Sequence, residues 1–174
     1  MREGLDLKQG RRREGSTAVE FAMVALPFFL LLFGILEIGL LLLVDALAET
    51  AVSDAGRQVR TGQAQELKLT PEEIKARLCA KMSVFAADCP NRAFIDIRVV
   101  DDFSNPVAPD PLKTGLFDPS VLRYQPGGPG DRVLVRVWYE QPIITPFIAQ
   151  ALSRTTDHRV MLTTTLAFRN EPYQ

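Results

Sequence analysis

The 174-residue sequence predicts an α+β fold, a long N-terminal transmembrane helix followed by a small exported domain built on an antiparallel sheet. Three observations carry that expectation. Residues 18–44 form an apolar block with only two charges, Glu20 and Glu37. Helical spacing of apolar positions continues beyond the block, through Leu47, Ala48, Ala51, Val52 and Ala55 towards Gly62. Three later segments, 94–100, 132–140 and 160–168, alternate apolar and polar residues with the period of two that marks a half-buried strand.

The apolar block is long enough to cross ~30 Å of hydrocarbon, which takes about 20 residues in a helix. A cleaved secretory signal is the rival reading, and Ala46-Leu47-Ala48 matches its small-x-small pattern. Such signals carry only about 7–15 apolar residues, however, and this block is longer, with a carboxylate near each end. The first 15 residues hold Arg2, Lys8, Arg11, Arg12 and Arg13 against Glu3, Asp6 and Glu14. A basic segment before an apolar run stays in the cytoplasm, so the rest of the chain is expected across the membrane.

Pro27 removes one backbone donor and predicts a kink rather than a break, as membrane helices tolerate. Glu37 lies roughly 24 Å along the helix from Phe21, so it is expected at the outer interface with its carboxylate reaching water. A helix over 16–61 would be roughly 70 Å long, more than one crossing needs. Gly62 is the expected stop. The expected organisation is a cytoplasmic basic leader at 1–15, a transmembrane and extended helix at 16–62, and an exported α+β domain at 63–174.

Thr70-Pro71-Glu72-Glu73 reads as a capping box with proline at the first helical position, and Ile74, Leu78 and Met82 share one face of the helix it opens. Cys79 and Cys89 both fall in the exported part, where a nearby pair fits a disulfide; two buried thiols are the alternative. Thr145-Pro146 opens a short apolar helix. Residues 101–131, with six prolines and four glycines, read as a solvated surface insertion between the first two strands. The sheet is expected to pack on the outer half of the N-terminal helix.

Beyond Val44 the chain is charge-balanced, with 15 Lys+Arg against 16 Asp+Glu, and no basic stripe interleaved with aromatics favours nucleic acid. No nucleophile elbow, phosphate loop or metal-ligand spacing is present. His158, the single histidine, sits in a polar turn beside Asp157 and reads as a solvated surface residue. No enzyme, cofactor, metal or small-molecule substrate is therefore expected.

The junction "RRREGSTAVEFAMVALPFF" joins a basic run ending in Gly15 to a small polar residue, Ser16, with Glu20 four positions on. It resembles the class III signal of type IV pilins and pseudopilins. The resemblance implies that a prepilin peptidase cuts between Gly15 and Ser16, making Glu20 the fifth mature residue, the family's assembly carboxylate. Ser16 departs from the aromatic first residue of many pilins. "WYEQPIITPFIAQAL" and "TTTLAFRNEPYQ" look like the end of TadE-like proteins. Over residues 10–62 and 132–173 the chain thus resembles the TadE-like minor pilins of tight-adherence (Flp-type) pili. That family implies a pilin-like lollipop and a single pass through the bacterial inner membrane. The N-terminus would be cytoplasmic and the C-terminal domain periplasmic, or carried into an extracellular pilus. The implied partners are a prepilin peptidase, the major pilin, other minor pilins and an inner-membrane assembly platform. A bitopic envelope protein binding a partner or cell-wall material, and a soluble periplasmic module released after Ala48, are the competing expectations.

Overall fold

The computed structural model describes residues 6–113, 115–152 and 159–173; most of the turn that holds His158 lies outside them. Helix α1 spans Asp6–Arg60. It begins ten residues before Ser16 because Lys, Gln, Arg and Glu favour a helix, and a lone interior glycine such as Gly10 costs only about 1 kcal/mol. Pro27 lies inside it without ending it. The chain divides into two compact units, Met1–Gly39 and Leu40–Gln174, and α1 contributes to both.

In the first unit the apolar side chains of α1 stand exposed, Phe21 at 71% and Leu31 at 69%. Six consecutive residues, Phe28, Phe29, Leu30, Leu31, Leu32 and Phe33, are all exposed. A run longer than one 3.6-residue turn exposes the whole circumference, so this stretch has no polar face to offer water. It lies within the one described helix long and apolar enough to cross a membrane. Glu37 departs from expectation. It is only 8% exposed and is not free, so it is not a carboxylate open to water. Its spacing of four to Leu41 and seven to Val44 puts it on the helix face that becomes buried.

The second unit is built around the remainder of α1. Val44, Ala48, Ala51, Val52, Ala55 and Val59 form a buried stripe at helical spacing. Gly62, at φ 82°, ends the helix in the left-handed conformation that glycine adopts at least cost. A Cβ there would also collide with the Tyr173 ring. After the single turn α2 (Gln63–Glu66), helix α3 (Pro71–Ala80) opens with the expected capping box: Glu73 N–H donates to Thr70 Oγ1 at 3.2 Å, and Thr70 N–H to Glu73 Oε2 at 2.8 Å. A 3-10 turn (Ser83–Phe85) leads to α4 (Cys89–Arg92). Cys79 and Cys89, with Cα atoms 5.4 Å apart, form a disulfide that ties the end of α3 to the start of α4, so the buried-thiol alternative falls away.

Strands β1 (Ala93–Val99), β2 (Arg132–Pro142) and β3 (Arg159–Arg169) form an antiparallel sheet in the order β1-β2-β3, and α5 (Pro146–Leu152) lies between the last two in sequence. All three strands and α5 fall within a few residues of their expected positions. One sheet face packs into the core with the α1 stripe, through Val133, Val135, Val137 and Tyr139 of β2 and Ile97 of β1. Ile74, Leu78, Met82 and the disulfide complete that core.

The opposite face overturns an expectation. Residues 101–131 are not simply a solvated insertion, because their later part lies on the β1–β2 portion of the sheet. Phe117 packs against Phe94 and Trp138, with ring centroids 4.4 and 5.9 Å away. Arg123 and Gln125 flank a parallel bridge at Ile97, where Ile97 N–H donates to Arg123 O at 2.8 Å and Gln125 N–H to Ile97 O at 2.7 Å. The segment thereby covers the outer edge of β1, which would otherwise leave backbone groups unpaired.

Candidate processing and assembly site

Gly15 and Ser16 share one turn of α1 and Glu20 lies on the next, all exposed. The i, i+4 spacing brings Ser16 over Glu20, and Ser16 Oγ donates to Glu20 Oε1 at 3.2 Å. Apart from its chain neighbours and the helix's own backbone, no described atom lies within 4 Å of a Cβ placed at Gly15. A carboxylate within hydrogen-bond reach of residue 16 can accept from an ammonium at that residue, should the chain begin there. The three residues that the sequence singles out are thus placed together.

Among the described residues, no group of three or more His, Cys, Asp or Glu is placed to hold a metal ion. Asp96 on β1 is instead a fully buried carboxylate, 0% exposed, in a position read from sequence only as the polar side of a strand. Arg98 donates to it through Nη2 at 2.6 Å and Nε at 2.9 Å. Arg136, from the neighbouring strand, donates through Nη2 at 2.7 Å and Nε at 3.0 Å, and Arg123 N–H at 2.8 Å. Burial alone would push the Asp96 carboxyl up. The two guanidinium groups and the amide outweigh it and hold its pKa below the ordinary 3.8. Arg98 Nη2 continues to Val121 O at 3.0 Å, so the cluster holds the 101–131 segment on the sheet and is a structural clamp. The available signal was a charged pair two apart on one strand, Asp96 and Arg98, with Arg136 on the next strand. Recognising it required the register that sets Asp96 opposite Arg136.

The C-terminal residues Arg169-Asn170-Glu171-Pro172-Tyr173 act as a latch. Arg169 Nε donates to Gly130 O at 2.7 Å, and Asn170 Nδ2 donates to Pro126 O and Gly128 O at 2.9 and 3.0 Å. Glu171 N–H caps α1 at Arg60 O, 2.9 Å away, while the Arg60 guanidinium returns two bonds to Glu171 Oε1. Tyr173 OH reaches Gly127 O at 3.2 Å.

One long apolar N-terminal helix with a small three-stranded antiparallel domain defines the class as a pilin-like α+β fold with a candidate single-pass membrane anchor. Residues 15–57 match the family model of TadE-like proteins, the same family that the junction residues resemble. The match starts at Gly15 and ends within α1; the second stretch of resemblance, at 132–173, lies outside it. No curated protein and no solved structure matches the chain.

Proposed function

We propose that the chain is a minor pilin or pseudopilin required for assembly of a Flp/Tad-type adhesive pilus. A prepilin peptidase cuts it between Gly15 and Ser16, and the mature protein works by packing its apolar helix with other pilins. Before assembly it sits in the inner membrane with its domain in the periplasm.

The observation that carries this reading is the coincidence at one junction. The family match begins at Gly15. Beyond it, between Phe28 and Phe33, the helix is apolar around its whole circumference. The first carboxylate of that helix already reaches residue 16. Cleavage would create an α-amino group at Ser16, and Glu20 would neutralise it, or the same group on a neighbouring subunit. In a poorly solvated helix bundle that pairing favours one register over others.

Mature mass and N-terminal sequence test the reading directly. A start at Ser16 is expected, with Gly15→Leu leaving a full-length precursor. A start at Met1 would favour a bitopic anchor, and one at Glu49 a released soluble module. Glu20→Ala is expected to be cleaved and membrane-bound yet to lose co-purification with other pilins. Normal pilus formation by that variant would remove the assembly role of Glu20.

A further inference from the structure

The two outer edges of the sheet differ. That of β1 is covered by the bridge at Tyr124. Along β3, among the described residues, no strand pairs with the outer edge. An open groove of about 900 Å³ runs there between β3 and α1. Its apolar floor includes Gly56, Leu166 and Phe168. Leu166 and Phe168 are only half-buried, whereas their register partners on β2, Val135 and Val133, are fully buried. Gly56 lets Leu166 lie directly against the helix, since a Cβ there would run into Leu166.

The rim is charged unevenly. Asp54 is shared by two cations, Arg57 at 3.4 Å and Lys81 at 3.6 Å. Both distances exceed the ~2.7–2.9 Å of a good charge-assisted bond. Arg57 and Lys81 are 63% and 58% exposed. The groove lining holds Arg57, Arg60 and Lys81 against Glu49 and Asp54, and Arg60 is paired with Glu171, so the excess positive charge is local to Arg57 and Lys81, with Glu49 about 7.5 Å before Asp54 along α1.

We infer that this groove receives an extended acidic segment of another protein, added as a fourth strand along β3. Its main chain pairs with the free edge, its apolar side chains alternate onto the Leu166–Phe168 floor, and a carboxylate meets Arg57 and Lys81. Strand addition of this kind takes affinity from the main chain and selectivity from alternate side chains. The inference does not depend on cleavage at Gly15. A β3-to-β3 pairing with a second copy fits less well. The register that pairs Leu162 with Leu166 of the copy also sets Arg159 against Arg169, and like charges directly opposite destabilise a ladder.

The test uses the full chain in detergent micelles and three labelled nine-residue peptides. One alternates valine and threonine around a central glutamate. The second has lysine in place of the glutamate. The third is the glutamate peptide N-methylated at every other amide. The glutamate peptide is expected to bind and to slow amide hydrogen exchange along β3 but not β1, and the N-methylated peptide to fail. Arg57→Glu with Lys81→Glu, both exposed, should weaken the glutamate peptide on the order of tenfold and turn preference to the lysine peptide. Equal binding of glutamate and lysine peptides would overturn the charge assignment, and equal binding of the N-methylated peptide the strand addition. Binding of none of the three, or slowed β3 exchange with rising protein concentration alone, would overturn the proposal; the latter would make a second copy the occupant.

Discussion

Between Phe21 and Leu36, helix α1 is mostly Phe and Leu, and its large side chains stand exposed; between Leu41 and Val59 its covered positions are mostly Val and Ala. Both stretches are apolar, but only the second has a fixed surface to pack against. Small residues let the sheet approach closely, as Leu166 does at Gly56. Large flexible side chains suit a stretch whose surroundings are lipid or other helices, where no single complementary shape is imposed. Side-chain size, rather than hydrophobicity, separates the candidate anchor stretch of the helix from the stretch that packs into the domain.

The strongest way to break that comparison is a matched pair of substitutions. Val52→Asp puts an unpaired charge into the domain core and is expected to cost more than about 4 kcal/mol, abolishing the cooperative thermal transition followed by circular dichroism. Leu31→Ala, in the exposed stretch, should leave that transition within about 0.5 kcal/mol of the parent. A large loss from Leu31→Ala would mean that the two stretches share one core.

Asp96→Asn comes next. Removing one partner of a buried ion pair costs about 3–5 kcal/mol, and here it leaves two guanidinium groups facing a neutral amide. Because the folded pKa of Asp96 is depressed, its contribution is full above the unfolded value near 4. It is lost as pH falls through the lower folded value. Acid titration of stability should therefore be shallower in the variant by up to about one proton below pH 4. An unchanged slope would show that Asp96 does not titrate with folding.

Replacing Cys79 and Cys89 together by serine opens a loop with sequence separation 10 and should cost about 2–3 kcal/mol in denaturant unfolding. Thiol labelling of unfolded, unreduced parent protein should find no free cysteine. The smallest expected effect is Thr70→Ala, which removes the α3 cap and should lower stability by about 1 kcal/mol in the same assay. Neither change should release the protein from membranes, since both lie outside the apolar helix. Release would sever the assumed independence of anchor and domain.

Local pattern made much of this molecule legible. The apolar run, the box at Thr70 and Glu73, the stop at Gly62 and the three alternating segments each encode an element through contacts a few residues apart, and the structure places them accordingly. The candidate junction was legible as spacing, because four residues on a helix put Ser16 over Glu20 wherever the rest of the chain goes. The proximity of the cysteines suggested their pairing.

The tertiary structure alone decided what covers each surface. Asp96 and Arg98 look like the wet side of a strand until residues 101–131 return across them, a contact between parts of the chain some 25 residues apart. Glu37 looks open to water until the buried face of α1 is known. The terminal Asn170, Glu171 and Tyr173 acquire roles only when β3 delivers them to the end of α1 and to the turn at 126–130. Periodicity fixes which side a residue takes on its own element. Whether that side meets water, another strand or a returning loop depends on long-range closure, which no local pattern encodes.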